Sequence, residues 1–360
     1  MKTATVLANL LVLLVFVLAA LLNEVDPNLY YRSVQEDEYL EWATFWGFIA
    51  GTYYYSANAL QQYRQAGTFP WFVLGLAAFC LLVALEEISW GQRLLGYRAP
   101  DYFLEQNYQQ EFNLHNVVDT GYRKLVMQLV LLGYGVILSA LSLVPPVRRF
   151  LQRVRIVAPP AHLIVSFLAM SLVYAWYPWG HTGEWVEFTM ALGFVFAAVL
   201  RRAPGETYER GSQTRQVLVP VIVILMLTVL TVNVVRHGRS ADPATVQATR
   251  LEIDALSADF NSGQIHTRCG IHKRLYTFMQ EYRQPYFLEG NYAQLTRASG
   301  AAARGEYLLD PWNAAYWVRH KCSNGKLVLF VYSFGPNQRR DSTDWELVGD
   351  DIGAYLIKKP

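Results

Sequence analysis

Val217-Leu-Val-Pro-Val-Ile-Val-Ile-Leu-Met-Leu-Thr-Val-Leu-Thr-Val-Asn-Val-Val-Arg236 carries no charge before its closing arginine. A bilayer core about 30 Å thick is crossed by about 20 mostly apolar helical residues. The stretch therefore reads as a membrane span, and it divides the chain. Before it, apolar residues lie in long blocks; after it the sequence is polar and mixed. Six further runs of the same kind precede it, at about 4–22, 40–57, 70–87, 124–144, 160–178 and 184–200. Over its 360 residues the chain is 53% hydrophobic and only 17% charged, with a mean hydropathy of +0.14. Soluble domains carry roughly 25% charge, so an ordinary soluble enzyme is disfavoured. A net charge of +2 supplies none of the clustered Lys and Arg that nucleic-acid binding requires.

The first run has Lys2 ahead of it and Ala19 and Ala20 near its end, as a signal peptide would. It is long, however, and no small-x-small site precedes Asn23, so it reads as a span. Orientation follows from the loop arginines. One set of alternate loops holds Arg64, then Arg148, Arg149, Arg153 and Arg155, then Arg201, Arg202, Arg210 and Arg215; the other set is poorer in arginine and carries Glu24, Asp26, Glu36, Asp37 and Glu38. The first set is cytoplasmic by this rule. Seven spans with a cytoplasmic N-terminus leave residues after 236 outside, in the periplasm if the membrane is a bacterial inner membrane. Cys269 and Cys322 would then meet an oxidising compartment, where they could pair. Cys80, inside an apolar run, reads as a small buried hydrophobe. The expected organisation is a six-span membrane domain over residues 1–210, a seventh transmembrane helix over 211–238 and a small α+β domain over 239–360.

In that last part, Asp242-Pro243 opens a stretch in which Val246, Ile253, Leu256 and Phe260 recur at helical spacing, with Thr249 filling the one gap. It predicts an amphipathic helix. Lys326–Ser333 is β-branched and aromatic and follows Asn324-Gly325, a hairpin turn signal. Tyr316–Arg319 is its expected partner strand.

Three motifs in order, Leu309-Asp310-Pro311-Trp312-Asn313, Val331-Tyr-Ser-Phe-Gly-Pro-Asn337 and Gly349-Asp350-Asp351-Ile-Gly353, resemble the C-terminal half of type II secretion major pseudopilins. The resemblance implies a calcium-binding acidic loop, carried here by Asp341, Asp350 and Asp351 with Asp344 as a further candidate, and partners in a secretion or pilus apparatus. Hard oxygen donors clustered in a loop also suit Ca²⁺ on chemical grounds. Two departures stand out. Gly211–Gln216 lacks the apolar junction and the early glutamate of a pilin leader, and Gly238 and Pro243 should interrupt the long helix that pilins share.

In the membrane domain, the third run ends Leu85-Glu86-Glu87-Ile-Ser-Trp-Gly-Gln92, with two carboxylates at the hydrocarbon boundary. Ionisable groups there are costly and mark function. The next outer loop holds Asn107, Glu111, His115 and Asp119 at four-residue spacing, one face if the piece is helical. The loop before the sixth run adds His181 and Glu184. Glu86, Glu87, Glu111, His115 and His181 are the candidate catalytic set, and Glu111, His115 and His181 the candidate ligands of a divalent transition metal. The blocks Glu-Glu-Ile-Ser-Trp-Gly-Gln and Asn-x-Gln-x-Glu-x-Asn-Leu-His-Asn also resemble uncharacterised bacterial polytopic membrane proteins, a likeness that implies no reaction.

Three readings stay open at this level. One is a hydrolase or transferase acting on a lipid, a lipid-linked or a protein substrate. Another is an anchor that docks a pseudopilin-like domain to a secretion or pilus system. The last is a proton-coupled carrier, for which the internal repeat and broken helices that mark carriers are missing from the sequence.

Overall fold

The computed structural model describes residues 2–35, 37–107, 109–201, 210–237, 242–261, 273–281, 289–323, 326–342 and 346–357. Glu36, Arg202, Gly238, Cys269, Asn324, Gly325 and Asp344 lie outside them, and so does any Cys269–Cys322 pairing. The fold is mostly helical with a small sheet near its C-terminal end. It divides into two compact units, Met1–Ile88 with Val118–Val232, and Ser89–Val117 with Asn233–Pro360. The loop expected to belong to the membrane domain is thus built into the second unit.

Helices α1 (Lys2–Val25), α2 (Tyr39–Ala66), α3 (Trp71–Glu87), α4 (Thr120–Leu141), α5 (Pro145–Val154), α6 (Ala161–Trp176), α7 (Thr182–Val199) and α8 (Arg210–His237) make up the first unit, α8 running on past its end. Every one of the seven apolar runs is helical. Four helices, Thr3–Val25, α4, α7 and Thr214–Val235 within α8, are long and apolar enough to cross a membrane. α6 is a shorter apolar helix, α3 has 17 residues, and α2 is diluted by Tyr53, Tyr54, Tyr55, Gln61 and Gln62.

The burial pattern explains the bundle. α7 is buried on nearly all sides from Trp185 to Ala198, as a helix apolar all round must be, whereas α1, α4 and α8 bare an apolar flank that includes Leu10, Leu18, Leu129, Ile137, Ile222 and Leu230. Phe194 of α7 sits at the centre, its ring 5.2 Å from those of Phe79 and Tyr134. A Cβ on Gly47 would lie 2.8 Å from that of Ala191, so α2 and α7 approach closely only because Gly stands there. Polar side chains bridge helices: Tyr55 and Tyr134 share a 3.1 Å hydroxyl bond, Gln128 Nε2 donates to the Ser171 carbonyl at 3.0 Å, and Trp46 Nε1 donates to Thr231 at 2.9 Å.

In the second unit, α9 (Pro243–Asn261) starts where the sequence places it, with Asp242 accepting from the Thr245 amide at 3.1 Å and hydroxyl at 2.6 Å. Thr249, Ile253, Leu256 and Phe260 are buried. Four antiparallel strands follow in the order β1 (Lys273–Arg274), β2 (Trp317–Ser323), β3 (Lys326–Ser333) and β4 (Ile352–Ile357), with a short helix α10 (Asn291–Ala298) between β1 and β2. Trp317 pairs with Tyr332 and Ser323 with Lys326, the two expected strands in a tight hairpin; β1 and β4 were not expected. Alternation gives the sheet two apolar faces. Val318, Leu329 and Val331 pack with Ile253, Leu256 and Phe260, while Trp317, Phe330, Tyr332 and Phe334 form a separate aromatic cluster.

Two buried carboxylates organise this unit. Glu252 on α9 accepts both guanidinium nitrogens of Arg304 and, at 2.9 Å, the Tyr316 hydroxyl. Asp259 caps α10, accepting from the Asn291 and Tyr292 amides at 2.7 and 3.0 Å.

Candidate functional site

The first candidate cluster lies at one end of the first unit. Glu41 on α2, Glu86 on α3 and Glu184 and Glu187 on α7 all lie close enough to Glu87 to act on it electrostatically. Glu86 is buried and Glu87 half-buried. His181 caps α7 in a left-handed conformation, exposed, with its ring 6.0 Å from that of Tyr31. The sequence singled out Glu86, Glu87, His181 and Glu184 but not Glu41 or Glu187, which sit within long helices and carry no local signal.

Beyond Glu87 the chain turns sharply. Ser89, Trp90 and Gly91 all take positive φ, at 47°, 56° and 79°, a costly arrangement for the first two. The Ser89 hydroxyl donates to Glu111 Oε2 at 2.8 Å and accepts from Asn113 Nδ2 at 2.9 Å. Asn107 Nδ2 donates to the Glu111 carbonyl at 2.6 Å, and Gln92 Oε1 accepts the Phe112 amide at 2.6 Å. Side-chain amides that bond the backbone in this way compete with helix formation, and the described residues 107 and 109–119 are irregular. The expected helical stripe of Asn107, Glu111, His115 and Asp119 is therefore absent: Glu111 is buried, His115 is exposed, and Asp119 caps α4 through the Gly121 amide.

The same segment packs on the C-terminal residues of its own unit. Ala99 and Leu104 are buried with Tyr307 and Leu309. Gln110 Nε2 donates to the Tyr307 carbonyl at 3.1 Å, the Tyr307 hydroxyl to Glu105 at 3.0 Å, and Asn313 Nδ2 to the Gly96 carbonyl at 2.8 Å. Arg274, 2% exposed, stands 3.9 Å from Glu111 and 4.8 Å above the Trp317 ring. The motif side chains thus bond mainly within the segment, and Glu105, Gln110, Glu111 and the Gly96 carbonyl tie it to the C-terminal residues; Glu111 and His115 belong to the second unit whereas His181 belongs to the first.

The second candidate is the acidic loop. Among the described residues, the one group of three or more His, Cys, Asp or Glu side chains close enough to share a metal is Asp341, Asp350 and Asp351, with ligand oxygens within 4.8 Å of one another. Backbone geometry makes the convergence possible. Gly349 has φ 67°, and a Cβ there would fall 2.1 Å from Asp341 Oδ2; Gly335 has φ 65°, and a Cβ would fall 2.0 Å from the Asp350 carbonyl. Asn337 donates its amide to Asp350 Oδ2 and its side chain to Asp341 Oδ2, both at 2.9 Å, and the Ser342 amide donates to Asp351 Oδ2 at 2.7 Å. Asp350 Oδ1 and Asp351 Oδ1 are buried without a hydrogen-bond partner. Burial raises the Asp350 carboxyl above its usual range and pushes that of Asp351 up to about 7. Buried anionic oxygens without donors are costly, and a hard divalent cation satisfies all three carboxylates at once. The donor set therefore fits calcium.

Asp310, in the first of the three motifs, escaped notice as anything but a motif residue. It is fully buried and accepts from the Trp312 and Ala314 amides at 3.0 and 2.9 Å and from the Ser333 hydroxyl at 2.5 Å. Burial pushes its carboxyl up from 3.8 to about 6. A raised carboxyl means that the folded chain keeps a proton the unfolded chain has released, so the contribution to stability is full below pH 3.8 and lost as pH rises through 6. Between pH 5 and 7.5, in a chelator, this group should cost the unit about 1 kcal/mol. Asp310→Asn keeps an acceptor for the two amides and should flatten that part of the slope; an unchanged slope in thermal melts would assign the pH dependence elsewhere. Comparison of the chain with protein-family models, with curated proteins and with solved structures finds no match.

Proposed function

We propose that the chain is a multi-pass membrane protein whose second unit is a pseudopilin-like, calcium-dependent docking domain. In this reading all seven apolar helices span a bacterial inner membrane, the N-terminus is cytoplasmic and the sheet domain is periplasmic, where it engages a component of a secretion or pilus system. The observation that carries it is the convergence of Asp341, Asp350 and Asp351 around two buried, partnerless oxygens, at the positions the pseudopilin motifs assign to calcium. Bound there, calcium would cross-link the chain between residue 341 and residues 350 and 351, fixing the loop that precedes β4. Asn337 and Ser342 hold the carboxylates in place from the backbone side.

The test is a calcium titration of the purified full chain followed by thermal unfolding. Ligand at a hundred times its dissociation constant adds about 2.7 kcal/mol to a folded state that alone binds it. The wild type should gain several degrees with calcium, and Asp351→Asn should lose most of that gain while remaining folded in chelator. Equal responses from both proteins would sink the calcium site. Native-membrane copurification then asks for a protein partner retained with calcium and released by chelator.

A second reading, a membrane enzyme, is favoured by the four glutamates around Glu87. There Glu86 or Glu87 would move protons at the outer boundary, with His181 at the rim. Stoichiometric transition metal that survives Asp351→Asn and disappears with Glu87→Gln would favour this reading over the first.

A further inference from the structure

The loop between α4 and α6 has a composition of its own. Residues 120–183 contain no Asp or Glu, yet Arg148, Arg149, Arg153 and Arg155 fall within eight positions. α5 is opened by Pro145 and Pro146 and closed by Arg155 at φ 60°, where the Ile156 amide returns to the Leu151 carbonyl at 2.9 Å. All four arginines are exposed, and among the described residues none of their side chains makes a hydrogen bond, ion pair or ring contact. Beside them Phe150 is 60% exposed, and Leu143 and Val144 are exposed too. Leu151 alone of the helix is buried.

Exposed arginines by themselves are usually just solvated. Depth makes the difference here. Trp71 Nε1 donates to the Val154 carbonyl at 3.1 Å, which pins the end of α5 to the first residue of α3. Trp71 and Phe69 are both exposed at that end, as aromatic side chains are where an apolar helix enters the headgroup layer. With the flanking helices read as membrane-crossing, four guanidinium groups and an outward phenylalanine stand at headgroup level. A planar guanidinium also suits phosphate better than an ammonium would.

We propose that α5 is a binding surface for anionic phospholipid headgroups, with Arg148, Arg149, Arg153 and Arg155 contacting phosphate and Phe150 anchoring among the acyl chains. The proposal rests on reading the flanking helices α4 and α6 as membrane-crossing. Juxtamembrane basic residues each favour an anionic surface by an amount that, for two or more engaged at once, gives about tenfold preference.

The test uses full-length protein purified in neutral detergent and stripped of lipid. Phosphatidylglycerol and phosphatidylcholine are offered in equal amounts, and bound lipid is counted by native mass spectrometry. The wild type should retain about tenfold more phosphatidylglycerol, and half-molar salt should erase most of that excess. The quadruple Arg→Gln variant should lose the preference while melting as the wild type does in phosphatidylcholine, and the quadruple Arg→Lys variant should keep the larger part of it. If the glutamine variant does not fold, Arg148→Gln with Arg149→Gln alone should halve the excess or better. A wild type without preference, or glutamine variants that keep it in full, would overturn the proposal. Carbonate extraction separates the two levels: protein released from membranes defeats the membrane reading itself, whereas protein retained without lipid preference defeats only this inference.

Discussion

Glu111→Ala should destabilise the second unit by about 3–5 kcal/mol, the range for stripping the partner from a buried charge, and should open residues 89–117 to protease. The charge that loses this carboxylate is Arg274, 2% exposed and 3.9 Å from it. The Ser89 hydroxyl loses its acceptor in the same step, on a turn already strained at two residues, and each such orphaned group costs about 1–3 kcal/mol. These losses are not additive, because one carboxylate serves all of them. Glu111→Gln keeps an acceptor for Ser89 and should cost less than half as much. Thermal unfolding combined with limited proteolysis reads both effects. A residue with a purely catalytic role would leave melting and cleavage unchanged in both variants, so the pair of substitutions also decides between the candidate roles of Glu111.

Glu252→Ala should be comparably severe, again about 3–5 kcal/mol, through a different part of the same unit. Its carboxylate, 2% exposed, holds Arg304 with both oxygens and accepts from Tyr316, while Arg304 also donates to the Leu309 carbonyl at 3.0 Å. Removing it leaves a mostly buried guanidinium and a buried phenol without their acceptor, and loosens α9 from the segment that leads into β2. Glu252→Gln should recover part of the loss and Arg304→Met a larger part of the double-variant loss, since removing both partners is less costly than removing one. Melting curves of the two single variants and of the Glu252→Leu, Arg304→Met pair test this, and strictly additive losses would refute it.

The apolar helices were legible because apolar length is a local property: all seven runs are helical, five within a few residues of their expected limits, while the helices over 40–57 and 217–236 run on to Ala66 and back to Arg210. The α9 face and the central hairpin were legible for the same reason, since periods of 3.6 and 2 show in single segments. What escaped depended on contacts distant in sequence. Glu252 and Asp259 look like surface acids until Arg304 and the α10 terminus arrive to meet them. The four-residue spacing of Asn107, Glu111, His115 and Asp119 suggested a helix, but Asn and Gln side chains captured the backbone instead. The three acidic-loop residues were found through motif order, and the glycine conformations that bring them together have no periodic signature.

Because residues 89–117 are folded into the sheet domain, the chain passes from one unit to the other at three places, near residues 88, 117 and 232. The sheet domain is accordingly no terminal cassette that could be gained, lost or exchanged by a single recombination at the end of a gene. A cut near residue 239 strands Tyr307 and Leu309 without Ala99 and Leu104, so a transplantable version needs residues 89–117 as a second piece. The two stretches must be inherited together, and change in one should be answered by change in the other.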